Sequence, residues 1–225
     1  MCGIAGYVGD RESADVLVDA LSKLEYRGYD SAGIAVFDHG NIKVKKCKGR
    51  LANLVEKMDE EGKPQGHVGI GHTRWATHGE PSDINSHPHG NKRVTIVHNG
   101  IIENYKKLKD FLVGEGYSFA SETDTEVAAK LLDYYYDGDP MKTIAKVLSE
   151  IKGSYALGIM FRDFPDEIFA VRKDSPLIVG VGEHENFIAS DVPAILKYTR
   201  NVYYIGNLEM ARVRKGEITF YNLDG

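Results

Sequence analysis

The chain contains three segments in which glycine alternates with polar and aromatic side chains, at 26–33, 71–89 and 98–104. Loops of this composition often hold binding and catalytic groups, because a rigid scaffold can aim them. A further reactive group, the thiol of Cys2, stands next to the start of the chain. Cys2 and these three segments are therefore the first candidates for a functional site.

Cys2 could act as a nucleophile that carries its own base. A thiol attacks a carbonyl carbon as the thiolate, and an ordinary thiol with a pKa of ~8.5 is mostly protonated at neutral pH. If Met1 is removed, the α-amino group of Cys2, with an ordinary pKa of ~7.7–8.0, can accept the thiol proton and later protonate a leaving group. The simpler alternative is a small buried cysteine at the start of a strand.

The overall composition is that of a globular protein without a basic surface. The 225 residues are 42% hydrophobic and 27% charged, with a net charge of -5. One domain is expected, and no excess of Lys and Arg is available to bind nucleic acid or an anionic membrane. Two cysteines do not make a disulfide framework. With no signal-peptide pattern and no membrane-length apolar run, a cytoplasmic location is expected.

Alternating period-2 and period-3.6 patterns predict the elements that must position these groups. Helices are predicted at 13–24, 51–58, 104–112, 124–136, 139–151 and 192–198. Strands are predicted at 2–8, 32–37, 42–48, 68–71, 94–97, 155–161, 168–171, 177–181, 187–189, 202–205, 212–213 and 218–221. The late strands follow one another too closely for helical crossovers, so they should be antiparallel. An α+β fold of two antiparallel sheets covered by helices is expected.

Six motifs, in order, carry a family resemblance. They are Met-Cys-Gly-Ile-Ala-Gly at 1–6, the 26–33 segment, Gly-His-Thr-Arg-Trp-Ala-Thr-His-Gly at 71–79, Ser-His-Pro-His at 86–89, the 97–105 segment, and Ser-Glu-Thr-Asp-Thr-Glu at 121–126. Over essentially its whole length the chain resembles the glutaminase domain of the glucosamine-6-phosphate synthase family, within the N-terminal nucleophile class of glutamine amidotransferases. The resemblance implies a four-layer αββα sandwich of two antiparallel sheets, the N-terminal nucleophile hydrolase fold. It also implies one glutaminase domain over 1–225, without the sugar-isomerase domains.

The resemblance assigns the chemistry to three residues. Cys2 is the implied nucleophile, and Asn99 and Gly100 are the implied oxyanion hole. The side-chain amide and the glycine N–H could converge on one oxygen, where a single donor is worth about 3–4 kcal/mol. From local sequence alone, Asn-Gly between apolar runs could instead be a hairpin turn.

Free glutamine needs a cation for its α-carboxylate and an anion for its α-ammonium. The planar fork of Arg74 suits the carboxylate and Asp124 suits the ammonium. The resemblance assigns both roles and adds hydrogen bonds from Thr77 and His78 near the carboxylate. A surface ion pair for Arg74, and a helix cap formed by Asp124 or Thr123, are the alternatives.

Three further residues receive peripheral roles from the resemblance. Trp75 would lie by the exit for ammonia and gate it, with core packing as the alternative. Arg27 belongs to a loop that packs over the nucleophile and would position the N-terminal region. His87 would lie near the docking place of a sugar-phosphate domain, where it is structural or contacts the sugar.

No cofactor and no metal ion are expected. The histidines lack the short, regular Cys/His spacing of structural zinc sites, and the Gly-rich run at 180–182 does not open a helix as a nucleotide fingerprint requires. The expected reaction is hydrolysis of L-glutamine to glutamate and ammonia, the ammonia normally passing to fructose-6-phosphate. Expected partners are L-glutamine and a sugar-isomerase domain that binds fructose-6-phosphate, in the same full-length chain or a separate one. A homodimer is a possible assembly.

Two other functions remain open at this point. The chain could be the glutaminase half of another amidotransferase, such as the purine-pathway enzyme. It could also be a non-catalytic domain that keeps the fold and senses glutamine. The state of Met1 distinguishes the enzyme from the glutamine-sensing domain. A retained Met1 would block the α-amine of Cys2 and favour the non-catalytic domain.

Overall fold

The computed structural model describes residues 2–27, 29–75 and 79–223, with thirteen strands and five α-helices among them. The helices are α1 (Ser13–Ser22), α2 (Leu51–Glu61), α3 (Tyr105–Gly114), α4 (Asp124–Tyr135) and α5 (Pro140–Leu148). The strands are β1 (Gly3–Val8), β2 (Ser31–Asp38), β3 (Asn41–Lys48), β4 (Val68–Arg74), β5 (His89–Gly90), β6 (Val94–Ile102), β7 (Gly153–Phe161), β8 (Glu167–Lys173), β9 (Ile178–Val181), β10 (Asn186–Ala189), β11 (Val202–Tyr204), β12 (Glu209–Arg214) and β13 (Ile218–Asn222).

The strands form two sheets in which neighbouring strands pair antiparallel. The first sheet has the order β11-β9-β10-β1-β4-β2-β3, and the second has the order β13-β12-β8-β7-β6-β5. In the first sheet β1 lies beside β4, with Gly3 opposite Thr73. The residue before β1 is therefore held next to the end of β4.

Three apolar cores separate four layers. Side chains such as Ile70 of β4 and Met160 of β7 fill the space between the two sheets. Leu21 of α1 belongs to a core on the outer face of the first sheet, and Leu131 of α4 belongs to a core on the outer face of the second. The order is helices, sheet, sheet, helices, which confirms the predicted αββα sandwich.

Local sequence explains the hairpin and the start of α4. His39 and Gly40 have φ values of 53° and 82°, as a two-residue hairpin turn between right-twisted strands requires. At α4, Thr123 accepts a hydrogen bond from the Glu126 N–H at 3.2 Å. The Glu126 carboxylate in turn accepts from the N–H groups of residues 120 and 121. This hydrogen bonding fixes the direction in which α4 begins.

The structure departs from the sequence interpretation at one predicted helix, at one strand that was not predicted and at one alternative that had been left open. The helix predicted over 192–198 is wrong, because the segment forms a 3₁₀ helix at Val192–Ala194 followed by turns at 195–198. The short strand β5 was not predicted. The hairpin turn considered for Asn99 and Gly100 is wrong, since both lie within β6 and pair with β7. Among the described residues, no helix is both long enough and apolar enough to cross a membrane.

Candidate active site

A cavity of about 280 Å³ lies at one end of the core between the sheets. Because alternate residues of a strand share a face, β4 turns His72 and Arg74 toward the second sheet in line with Ile70, and β6 turns Asn99 toward the first sheet. The cavity brings together seven of the predicted site residues: Cys2, Arg74, Trp75, His87, Asn99, Gly100 and Asp124. Thr77, His78 and the side chain of Arg27 lie outside the described part of the chain.

The Cys2 sulfur accepts a hydrogen bond from the Trp75 backbone N–H at 3.1 Å. Burial raises the pKa of the Cys2 thiol above its ordinary value, and this N–H donor opposes the rise. In the described residues, no side-chain base lies within hydrogen-bond distance of Sγ. No neighbouring side chain is therefore in place to deprotonate the thiol. A reaction at the sulfur needs another base close to Sγ.

The Asn99 side chain contacts Cys2 directly, since its Nδ2 donates to the Cys2 carbonyl oxygen at 3.0 Å. Its Oδ1 accepts from His72 Nε2 at 2.9 Å. The next residue, Gly100, has φ 115°, and a Cβ there would collide with the carbonyl oxygen of Ser154 on β7. Only glycine fits this position. The Asn99 side-chain amide and the Gly100 backbone, which no side chain covers, therefore form adjacent parts of the cavity wall.

Arg74 and Asp124 place opposite charges on the same cavity. Arg74 ends β4, is 3% exposed, and donates through Nη2 to the Gly79 carbonyl oxygen at 3.0 Å. This burial excludes the surface ion pair considered above. Asp124 opens α4, is also 3% exposed, and accepts from the Ile102 N–H at 2.8 Å through Oδ2. Thr123, rather than Asp124, caps the helix. Both ionic side chains thus line the same cavity.

Trp75 stands at the rim of the cavity. Its side chain is 47% exposed, and its ring meets the edge of Tyr29 with 5.2 Å between centroids. The alternative of core packing is therefore wrong. The Arg50 guanidinium lies 5.4 Å from the centre of the Tyr29 ring, so Trp75, Tyr29 and Arg50 form a short series of contacts at the rim.

Four histidines are buried at the site: His87 and His98 line the cavity, whereas His72 and His89 lie outside its lining. His87 stacks on His72 with centroids 3.9 Å apart and planes 9° from parallel. Burial lowers the pKa of His72 to about 3 and holds the pKa values of His87 and His89 well below the ordinary range. These three rings are neutral at physiological pH. Within the described residues, no group of three or more His, Cys, Asp or Glu side chains is arranged to hold a metal ion.

The cavity also contains residues that the sequence reading did not assign to the site. His98 and Thr125 line it, and Thr125 Oγ1 lies 2.8 Å from His98 Nδ1 and 3.4 Å from His87 Nε2. His98 precedes Asn99 and Thr125 follows Asp124, so their place in the motifs could have signalled them. Ser175 and Pro176 also line the cavity, and no sequence signal marked these two.

The sandwich of antiparallel sheets, with a cysteine next to the start of the chain and an amide beside it, defines the class of N-terminal nucleophile folds. The family model described as "Glutamine amidotransferase domain" matches residues 72–197. The chain belongs to this glutamine amidotransferase family.

Curated relatives and solved structures agree with this assignment. The chain is 58% identical to the glutamine–fructose-6-phosphate aminotransferase (isomerizing) of Caldanaerobacter subterraneus subsp. tengcongensis and 49% identical to that of Thermus thermophilus. Each match covers 100% of this chain and 37% of the relative. The glutamine phosphoribosylpyrophosphate amidotransferase of B. subtilis superposes with a TM-score of 0.86 at 26% identity, over 99% of this chain and 49% of that one. The chain thus spans little more than a third of the curated relatives it matches.

Proposed function

We propose that the chain hydrolyses L-glutamine to glutamate and ammonia with Cys2 as the nucleophile. The observation that carries the proposal is the direct contact of the Asn99 amide with Cys2, in a cavity that also holds buried Arg74 and Asp124. A nucleophile, a hydrogen-bond donor for an oxyanion and a pair of opposite charges are the groups that an amide-hydrolysing site for a free amino acid needs.

The reaction begins with proton transfer from the Cys2 thiol to the α-amine that removal of Met1 exposes. The thiolate then forms a C–S bond to the side-chain amide carbon of glutamine, and the carbonyl π electrons move to oxygen. Asn99 Nδ2 carries two hydrogens, of which one is engaged by the Cys2 carbonyl. The other, with the Gly100 N–H, is available to the oxyanion. The raised pKa of the thiol makes this local base necessary.

Collapse of the tetrahedral intermediate completes the first half of the reaction. The protonated α-amine of Cys2 returns its proton to the amide nitrogen of the substrate, and the C–N bond breaks. Ammonia departs, and the glutamyl group remains bound to Cys2 as a thioester. Water then attacks the thioester while the α-amine accepts a water proton. The C–S bond breaks, the thiolate recovers a proton, and glutamate is released.

Substrate recognition falls to the two buried charges. Arg74 binds the α-carboxylate and Asp124 binds the α-ammonium, each from a side chain 3% exposed, so little water competes for either contact. Thr77 and His78 are proposed to add hydrogen bonds near the carboxylate.

Three residues are proposed to act at the periphery of the site. Arg27 positions the N-terminal region over the nucleophile. Trp75, exposed at the rim, gates the exit of ammonia. His87 has a structural role, because it is 5% exposed and its ring is stacked on His72. Such burial leaves little of the ring for contact with a sugar.

The ammonia is proposed to pass to fructose-6-phosphate, giving glucosamine-6-phosphate. The name of the curated relatives supports this acceptor. We propose 1–225 as the glutaminase domain, acting with a sugar-isomerase domain in the same full-length chain or a separate one. Adding that domain with fructose-6-phosphate should yield glucosamine-6-phosphate. Failure of this transfer with hydrolysis intact would favour the glutaminase half of another amidotransferase.

The test of hydrolysis is glutamate release from L-glutamine by the Met1-free protein, before and after treatment with a diazoketone analogue of glutamine. Intact mass first establishes that Met1 is absent. We expect activity that the reagent abolishes, with the label mapped by peptide mass to Cys2. A folded, correctly processed protein with neither activity nor label would reject the enzyme and support a glutamine-sensing domain.

A further inference from the structure

His72 lies on β4 with its side chain fully buried between the two sheets. Its Nε2 is 3.0 Å from the His98 carbonyl oxygen and 2.9 Å from Asn99 Oδ1. A carbonyl oxygen accepts only, so Nε2 must carry the hydrogen and donate it to both oxygens. His72 Nδ1 is buried with no hydrogen-bond partner in the described residues, as expected for the bare nitrogen of the neutral ring.

The orientation of the Asn99 amide is fixed from its other end by the same reasoning. The Cys2 carbonyl oxygen, which also only accepts, faces Asn99 at 3.0 Å. The atom turned to Cys2 is therefore Nδ2, and the atom turned to His72 is Oδ1. The carbonyl oxygens of His98 and Cys2 can only accept, and together they fix the direction of both hydrogen bonds of the Asn99 side chain. His72 Nε2 donates to Asn99 Oδ1, and Asn99 Nδ2 donates to the Cys2 carbonyl oxygen.

The His72 ring is itself held in place. His87 stacks on it, and the segment that carries His87 is tied down by Lys46, whose Nζ donates to the carbonyl oxygens of Ser86 at 2.8 Å and Pro88 at 3.0 Å. At Gly33 on β2, a Cβ would collide with the His87 carbonyl oxygen, so the glycine permits this close approach. The ring cannot turn away without displacing a buried loop.

We propose that His72 is a positioning residue for glutamine hydrolysis, which acts by holding Asn99 Oδ1 so that Nδ2 faces Cys2 and the reacting oxygen. A flipped Asn99 amide would present its own oxygen to the oxyanion and would convert a donor into a repulsive group. The inference rests on the proposed function, because the oxyanion is that of the glutamine amide. His72 touches no substrate atom and acts only through Asn99.

The experiment compares two nearly isosteric replacements, His72→Met and His72→Gln. Of the two new side chains, only that of H72Q can donate a hydrogen bond to Asn99 Oδ1. We expect kcat for glutamate release to fall about 10- to 100-fold in H72M, less than the about 10²- to 10³-fold expected for loss of a whole donor. KM should stay within about twofold, and H72Q should recover most of kcat. His89→Met, at a buried histidine of the same cluster outside the cavity, is the matched control and should keep kcat within about twofold.

A double-mutant cycle with Asn99→Ala separates positioning from a general structural role. If His72 acts through Asn99, adding H72M to N99A should change kcat by less than about twofold. Full additivity of the two losses, or wild-type kcat in folded H72M, would overturn the inference. His72→Leu replaces H72M in the cycle if H72M does not fold. Absence of hydrolysis in the wild-type protein would instead reject the proposed function, and the inference with it.

Discussion

The Asn99 amide and the Cys2 carbonyl oxygen are joined by a 3.0 Å hydrogen bond across 97 positions of sequence. The bond links β6 of the second sheet to the residue that precedes β1 of the first sheet. The distance between nucleophile and amide is therefore set by the packing of two sheets, in which β1 lies between β10 and β4, and β6 pairs with β7 at Asn99. A site built in this way needs no loop to close before its two central groups meet.

Replacement of Cys2 by alanine should abolish glutamate release while leaving the fold intact, since within the described residues the thiol hydrogen-bonds only to the Trp75 backbone. The matched control is Cys47→Ala at the second cysteine, which is buried on β3 away from the cavity. Activity is measured by glutamate release and folding by thermal melting. C47A should retain activity at some cost in stability. Near wild-type activity in C2A would refute the nucleophile.

Asn99→Ala should lower kcat by about 10²- to 10³-fold with a small change in KM, because the amide is proposed to bind an oxygen that is negative only in the transition state. Steady-state kinetics over a range of glutamine concentrations separates the two constants. A variant in which KM rises and kcat stays unchanged would place Asn99 in ground-state binding instead.

Asp124→Asn should weaken glutamine binding by about tenfold or more, since it removes the negative charge proposed for the α-ammonium. The amide oxygen of asparagine can still accept from the Ile102 N–H, which Asp124 Oδ2 now binds at 2.8 Å, so the local fold should survive. Calorimetric titration of glutamine into C2A and C2A/D124N measures binding without turnover. Equal affinities would refute the ammonium contact.

Much of the fold follows from local pattern, because hairpin and helix signals are local. The turn at His39 and Gly40 and the apolar stripe of α1 were both predictable from a few neighbouring residues. The helix predicted over 192–198 failed because apolar spacing does not distinguish an α-helix from a short 3₁₀ helix followed by turns, which is what this segment forms.

The site was predictable to the extent that its residues lie in motifs. The place of His72 was not, because its contact with Asn99 joins strands of different sheets across a core. Sequence periodicity gives the face of each strand, but it does not give which residue of the opposite sheet lies across from it. His72 and His89 drew attention only as candidate metal ligands, whereas the structure buries both as neutral rings, with His87 stacked on His72.

Acidification between pH 7 and pH 5.5 should destabilise the protein through the buried histidines. Burial lowers the pKa values of His72, His87 and His89 in the folded state, His72 to about 3, whereas in the unfolded chain they return to ~6.5. The unfolded state therefore binds more protons below pH 6.5, and the free energy of unfolding falls as pH decreases. Each histidine contributes up to about 1.4 kcal/mol per pH unit to the slope of the unfolding free energy, so three histidines approach about 4 kcal/mol per pH unit.

Urea unfolding at a series of pH values measures this slope, which His89→Gln should reduce by about a third. A flat profile would contradict the burial of three neutral imidazole rings.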